Sequence, residues 1–316
     1  MPELPEVETT TQGLKKTVVG LVIKDVWTDL STTDKRQSDT IANPKYFTIF
    51  RRGILNKKVL SVERRAKNIL INISNNKTIL AHLKMTGHLL YGKYKFTSPL
   101  APLLNKERGL RRGFIWIPAE NRSPLRDPRN RFIHAVFSFS NGKHLAFSDL
   151  RKFGKITLIK TAELAQSVHL AHLGPEPLDK NFNIEKLKEC LSKKPNGRIK
   201  TVLMDQSIIA GIGNIYSDEI LWHSGVHPER QVKNLKDKEI ELMFKTIKEI
   251  LIKGIDFGGD SMSDYRNIYG LPGRFQLHHK AYRKTGEKCA KPGCQGVIKR
   301  KIVGGRSAHF CSAHQK

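Results

Sequence analysis

The sequence predicts a multidomain α+β protein: an N-terminal β-sandwich with flanking helices, a helical middle section, and a C-terminal β-hairpin built around metal. Three observations carry this. Short strand-like runs, separated by turn signals such as Asn75-Asn76 and Asn141-Gly142, crowd the first half of the chain. Apolar residues then recur at helical spacing between Ile184 and Ile255. Three of the four cysteines cluster at the C-terminus. A length of 316 residues also favours more than one core.

The elements follow in order. A helix should run from Pro5 to Val19, with Val7, Leu14 and Val18 on one face. Strands are expected at Leu21–Trp27, Lys58–Val62, Ile69–Ile73, Lys77–Leu83, Phe132–Phe139, Lys143–Phe147 and Lys155–Ile159. So many short strands suggest a sandwich or barrel. The stretch Tyr91–Arg131 interrupts them with five prolines and many Lys and Arg, among them Lys106, Arg108, Arg111, Arg112, Arg126 and Arg129. It reads as a long, basic, mobile loop. Leu173-Gly-Pro-Glu-Pro177 looks like an interdomain linker, and helices should follow at Ile184–Lys193, Ile199–Asp205, Ile215–Ser224 and Leu235–Ile255. Cys190, between Leu187 and Leu191 on an apolar face, reads as core. The expected division is 2–160 with an insertion at about 91–131, a linker at 161–179, a helical domain at 180–272 and a hairpin finger at 273–316.

Composition narrows the partner. Lys and Arg number 56 against 29 Asp and Glu, a net charge of +27, which makes nucleic acid the leading class. The first residues are acidic and lack the apolar core of a signal peptide, which points to the cytoplasm. No apolar run approaches the roughly 20 residues needed to span a membrane. A monomer is expected.

Cys289-Ala-Lys-Pro-Gly-Cys294 forms a knuckle, with Pro292-Gly293 as its turn, and Cys311-Ser-Ala-His314 closes a second. Three thiolates and an imidazole suit one tetrahedral Zn²⁺. His309 is the alternative to His314 as fourth ligand, and spacing favours His314. Between the pairs, Gly296–Val303 and Arg306–Phe310 read as strands joined by Gly304-Gly305, a two-residue hairpin turn. The hairpin tip therefore carries Arg306.

The N-terminus, Met1-Pro2-Glu3-Leu4-Pro5-Glu6-Val7, has two readings. Pro5 and the acids around it suit a helix start. Loss of Met1 would also leave Pro2 a free secondary amine, titrating at about 7.7–8.0 in model compounds, with Glu3 and Glu6 as nearby acid and base. Such an amine attacks electrophilic carbon and forms an iminium.

Several motifs resemble one family. MPELPEVETT, Ser61-Val-Glu-Arg-Arg-Ala-Lys67, His82-Leu-Lys-Met-Thr-Gly87, Arg151-Lys-Phe-Gly154, Leu173-Gly-Pro-Glu-Pro177, Gly211-Ile-Gly-Asn-Ile-Tyr216 and the zinc hairpin occur in the order found in formamidopyrimidine-DNA glycosylases. The resemblance implies a helix–two-turns–helix domain in the middle section. It also implies base-excision repair of 8-oxoguanine and formamidopyrimidines in duplex DNA, with β- and δ-elimination at the resulting abasic site. By the same resemblance Pro2 is the nucleophile, Glu3 the acid, Glu6 a support of the lesion pocket, and Lys67 a contact to the lesion nucleotide. Met85, Arg151 and Phe153 would fill the hole left by a flipped nucleotide. Asn214 and Arg306 would hold phosphates, and glycines before a helix start suit phosphate approach.

Departures from the family pattern are His314 for a fourth cysteine, a wider first pair, Lys84 for glycine, Leu150 for proline, and a longer basic loop. Gly258–Arg274 occupies the place of the family's lesion-capping loop. Two rival functions remain: an endonuclease VIII-type enzyme for oxidised pyrimidines, and a non-catalytic damaged-DNA-binding zinc protein.

Overall fold

The computed structural model describes residues 1–97 and 115–316. Helix α1 (Leu4–Thr17) begins with Pro5 in its first turn and a reciprocal capping box between Glu3 and Glu6. Strand β1 (Ile23–Thr28) follows. A second helix, α2 (Pro44–Ile54), was not expected from the sequence. Its start is nevertheless written in Asn43-Pro44: the Asn43 side chain accepts from the Lys45 and Tyr46 amides. Only Phe50 and Ile54 are buried on it, too narrow a stripe to read as a periodic pattern.

Strands β2 (Val59–Arg65), β3 (Asn68–Ile73), β4 (Lys77–His82), β5 (His88–Gly92), β6 (Tyr94–Thr97), β7 (Ile115–Pro118), β8 (Ile133–Phe139), β9 (His144–Ser148) and β10 (Lys155–Lys160) complete the N-terminal half. Among the described residues they form two four-stranded antiparallel sheets, β1-β8-β9-β5 and β10-β4-β3-β2. Asn75 and Asn76, both at positive φ, turn β3 into β4. Val26, Ile71, Ala81, Leu89, Phe137 and Phe147 fill the space between the sheets, and α1 and α2 add Val7, Leu14, Phe50 and Ile54 to the same core. The sandwich with flanking helices is as expected.

The reading of Tyr91–Arg131 as one loop needs correction. Tyr91 and Gly92 finish β5, paired with β9. Tyr94–Thr97 pairs with Ile115–Pro118 as a ribbon, and short 3₁₀ turns follow at Pro124–Arg126 and Pro128–Asn130. Proline and arginine density hid these elements because alternation over four residues is too short to stand out. Pro99, Pro102, Lys106, Arg108, Arg111 and Arg112 lie outside the described residues.

The second half packs α3 (Ile184–Ser192), α4 (Ile199–Met204), α5 (Asn214–Ser224) and α6 (Asp237–Asp256) around their own core. Cys190 lies in it, fully buried. Leu4 of α1 belongs to this second core, so the N-terminus is shared by both halves. The segment after β10 is fastened to the sandwich: Glu176 pairs with Arg64 at 2.6 Å and Arg65 at 2.9 Å. Among the described residues no helix is long and apolar enough to cross a membrane.

The hairpin comprises β11 (Lys299–Val303) and β12 (Arg306–Phe310), turned by Gly304 and Gly305 at φ 54° and 75°. A Cβ on Gly304 would lie 2.3 Å from the Thr201 methyl, so the tip rests directly on α4. Beneath it Asp218 of α5 accepts from Lys200 Nζ at 2.6 Å, and from the backbone and ring of His309 at 3.0 and 2.8 Å. Lys200 and Asp218 are both out of water. Removing one partner of such a pair strands the other. Asp218→Ala should therefore cost about 3–5 kcal/mol in urea unfolding, and adding Lys200→Met should recover part of it.

Candidate functional site

The site is assembled around the N-terminus. Leu4 N–H donates to the Gly211 carbonyl at 3.0 Å, and Gly211 has φ +91°. This docking brings Pro2, Glu3 and Glu6 against the start of α5, and all three are buried. Glu3 accepts from the Ile215 amide at 2.9 Å and the Tyr216 amide at 3.4 Å. A carboxylate at a helix N-terminus is favoured by the free amides and the dipole. A Cβ on Gly213 would lie 2.4 Å from Glu3 Cδ, so any side chain here would displace the Glu3 carboxylate. The glycines of Gly211-Ile-Gly213 therefore admit a carboxylate of the same chain, where the sequence suggested a phosphate.

Glu6 is enclosed more completely. Its carboxylate accepts from the Glu3 amide, the Tyr216 hydroxyl and the Asp260 amide, each at 2.7 Å. Burial, and then the charge of Glu3, push its pKa up to about 7 against the pull of those donors. Lys67 sits in the β2–β3 turn, beside Ala66 at positive φ, and donates to the Ile212 carbonyl at 2.9 Å. Burial lowers its pKa. The charges of Glu3 and Glu6 oppose that shift and Arg306 adds to it. Arg306 itself is exposed at the hairpin tip. Glu3, Glu6, Lys67 and Arg306 thus share one field, although they come from α1, the β2–β3 turn and β12. Asn214 opens α5 near the Tyr282 hydroxyl.

Met85, Arg151 and Phe153 are not sandwich core. Met85 is 42% and Phe153 46% exposed. The three pack on one another: Arg151 Nη1 lies 3.0 Å from Met85 Sδ, and its guanidinium stacks 4.6 Å from the Phe153 ring centre. The buried Asp149 holds this cluster up. It bonds Thr86 and accepts from the amides of Arg151 at 3.2 Å and Gly154 at 2.8 Å. Lys84, at φ +53°, occupies a left-handed position that glycine fills without strain.

A cavity of about 370 Å³ opens between these parts. Met1, Met85, Arg151, Asp260, Asp264 and Tyr282 line it. A second hollow of about 310 Å³ is lined by Lys67 with His82, Lys84, Lys155, His169 and His172. Burial, and then the charges of Lys84 and Lys67, hold His82 neutral with a pKa of about 3.

Cys289, Cys294, Cys311 and His314 bring their ligand atoms within 4.8 Å of one another. Cys294 and Cys311 sulfurs are 3.7 Å apart. A tetrahedron of 2.3 Å Zn–S bonds has edges of about 3.8 Å, so the spacing fits. His314 Nε2 faces the Trp222 carbonyl at 3.0 Å, which leaves Nδ1, 3.3 Å from Cys289 Sγ, to face the cluster. His309 lies elsewhere, held by Asp218. The set can hold one metal ion.

Sequence reasoning missed Tyr216, Asp260 and Asp149. Tyr216 closes the Gly211–Tyr216 motif and Asp149 immediately precedes Leu150-Arg151, so both lay within reach of the motifs. Nothing local marks Asp260.

Comparison with known proteins bears on the same parts. Residues 1–156 match the formamidopyrimidine-DNA glycosylase N-terminal domain model, and residues 173–266 match the H2TH domain model of the same name. A formamidopyrimidine-DNA glycosylase of Ligilactobacillus salivarius is 35% identical, over 98% of this chain and 97% of its own. A Lactococcus lactis Fpg mutant in complex with a Fapy-dG containing DNA has a TM-score of 0.79 at 30% identity, both chains being fully covered. The Lactococcus lactis Fpg in complex with an abasic site containing DNA has a TM-score of 0.78 at 29% identity, covering 99% of each chain.

The Glu6 environment predicts a pH signature. Its folded carboxyl keeps a proton up to about pH 7, whereas the unfolded group releases it near 4.5. Between those values the folded state binds more protons, so stability falls as pH rises. Relative to Glu6→Gln, the protein should lose on the order of 3 kcal/mol between about pH 5 and about pH 8 in urea melts. Equal pH slopes for the two would contradict the burial argument.

Proposed function

Because the chain belongs to the formamidopyrimidine-DNA glycosylase family, we propose that it excises oxidised purines from duplex DNA and cleaves the abasic strand through a Schiff base on Pro2. The observation that carries this reading is the joint position of the N-terminus and the exposed Met85–Arg151–Phe153 cluster, with Met1, Met85 and Arg151 on the walls of one cavity. With Met1 removed, the Pro2 nitrogen attacks C1′ of an extruded nucleotide. The C1′–N9 bond breaks and its electron pair leaves with the base, which takes up a proton. Glu3, beside Pro2, takes the proton released by the attacking nitrogen and delivers it to the ring oxygen as the sugar opens, and the freed nitrogen lone pair closes the iminium at C1′. That cation acidifies the C2′ proton. Its loss expels the 3′ phosphate, and a second elimination expels the 5′ phosphate.

The surrounding residues divide the remaining work. Lys67 and Arg306, near enough for the charge of one to lower the pKa of the other, are assigned to the phosphates around the flipped nucleotide. Asn214 adds an amide there. Phe153 wedges into the stack, Met85 fills the void, and Arg151 offers donors to the orphaned base. Zn²⁺ on Cys289, Cys294, Cys311 and His314 would stiffen the hairpin that carries Arg306. It supplies no chemistry to the DNA.

Four measurements test this reading. Borohydride should trap a covalent adduct with 8-oxoguanine duplex, and Pro2→Gly should abolish it. Absence of an adduct from protein lacking Met1 sinks the mechanism. A protein with Met1 retained should bind damaged duplex without being trapped. Excision of thymine glycol in preference to 8-oxoguanine would favour the pyrimidine reading instead. Metal analysis should find zinc bound at these four residues, lost in Cys311→Ala together with most DNA affinity. Affinity should fall steeply and linearly in log–log form with salt, as expected when several Lys and Arg neutralise phosphates.

A further inference from the structure

We propose that Asp127 and Arg266 form a clamp by which the insertion after β7 positions the cavity loop, and that this clamp governs removal of the damaged base but not cleavage at an abasic site. The inference rests on the function proposed above. The loop runs from Gly258 and Gly259, at φ +72° and +86°, to Gly270 at +82°. Asp260, Met262, Ser263 and Asp264 line the 370 Å³ cavity together with Met85 and Arg151. Its near end is pinned to the N-terminal site, because the Asp260 amide donates to Glu6 and the Asp260 carboxylate lies 2.8 Å from the buried His279 ring.

The far end is pinned by the insertion. Arg266 Nε donates to Asp127 at 3.2 Å, with the arginine side chain only 4% exposed. The same guanidinium holds the Tyr265 carbonyl at 2.7 Å and the Ser263 carbonyl at 3.4 Å. Among the described residues, Asp127 is the only carboxylate in ion-pair reach of Arg266. Next to it, a Cβ on Gly270 would lie 2.7 Å from the Pro124 carbonyl oxygen, so loop and insertion meet backbone to backbone. Between the two pins the exposed Met262 and Ser263 form a short tip.

Loss of Asp127 leaves a buried cation without its partner. Arg266 must then move toward water, and it releases the two carbonyls that shape the tip. A base held in the cavity loses that wall. An abasic sugar has no base to hold, and the residues assigned to it, Pro2, Glu3, Lys67 and Arg306, are not among those that line this cavity.

The test compares two substrates under single-turnover conditions: duplex with 8-oxoguanine and duplex with a preformed abasic site. Asp127→Ala should slow base excision about tenfold, while abasic cleavage changes by less than about twofold. Asp127→Glu should retain excision, and the exchange Asp127→Arg/Arg266→Asp should restore part of what Asp127→Ala loses. Thermal melts identify variants that fail to fold, in which case Asp127→Asn replaces them. Unchanged excision, or equal losses on both substrates, overturns the clamp. Wild-type protein that neither excises nor is trapped overturns the functional reading instead.

Discussion

Two carboxylates buried side by side at the seam of the molecule set the terms for everything else. Glu3 and Glu6 have left water without a lysine or arginine in direct ion-pair contact among the described residues. They are held by amides and a hydroxyl: Ile215 and Tyr216 on one, Glu3, Tyr216 and Asp260 on the other. Desolvating a carboxylate is expensive, and each donor offsets part of that cost only while correctly placed. The first turn of α1, the start of α5 and the loop at Asp260 are therefore obliged to keep one mutual geometry. Gly211 and Gly213 are the steric conditions for it, since a side chain at either would displace Leu4 or Glu3.

The hairpin is referred to the same framework by a different route. Asp218 lies one turn along α5 from the amides that hold Glu3, and it fixes His309 on β12. Four positions further along the helix, the Trp222 carbonyl orients His314 in the metal set. One helix thus orients the carboxylate at its N-terminus, the strand that bears Arg306, and a ligand of the metal cluster. Lys67, bonded to the Ile212 carbonyl just before this helix, feels the charge of Arg306.

Much of this was legible in the sequence, for identifiable reasons. Turn chemistry at Asn75-Asn76 and Gly304-Gly305 marked two hairpins, and the Cys/His spacing marked the metal set with His314 in it. The N-terminal residues and the Gly211–Tyr216 motif were singled out, but not their relation: a glycine-rich helix start accepts any anion, and only the fold reveals that Glu3 is the one. Helix α2 went unseen because two buried residues make no period. The β6–β7 ribbon went unseen because its ladder is four residues long. Asp260 and His279 were invisible, since a buried pair joined by tertiary packing leaves no local pattern.

The bond from Ile215 to Glu3 spans 212 positions of chain, and that from Asp260 to Glu6 spans 254. Closing loops of that length is among the last events in folding, and during vectorial synthesis it waits for the far partner to emerge. The residues made first are thus the last to be seated. Once Leu4 docks on Gly211, Pro2 is buried, while Met1 stays exposed on the cavity wall.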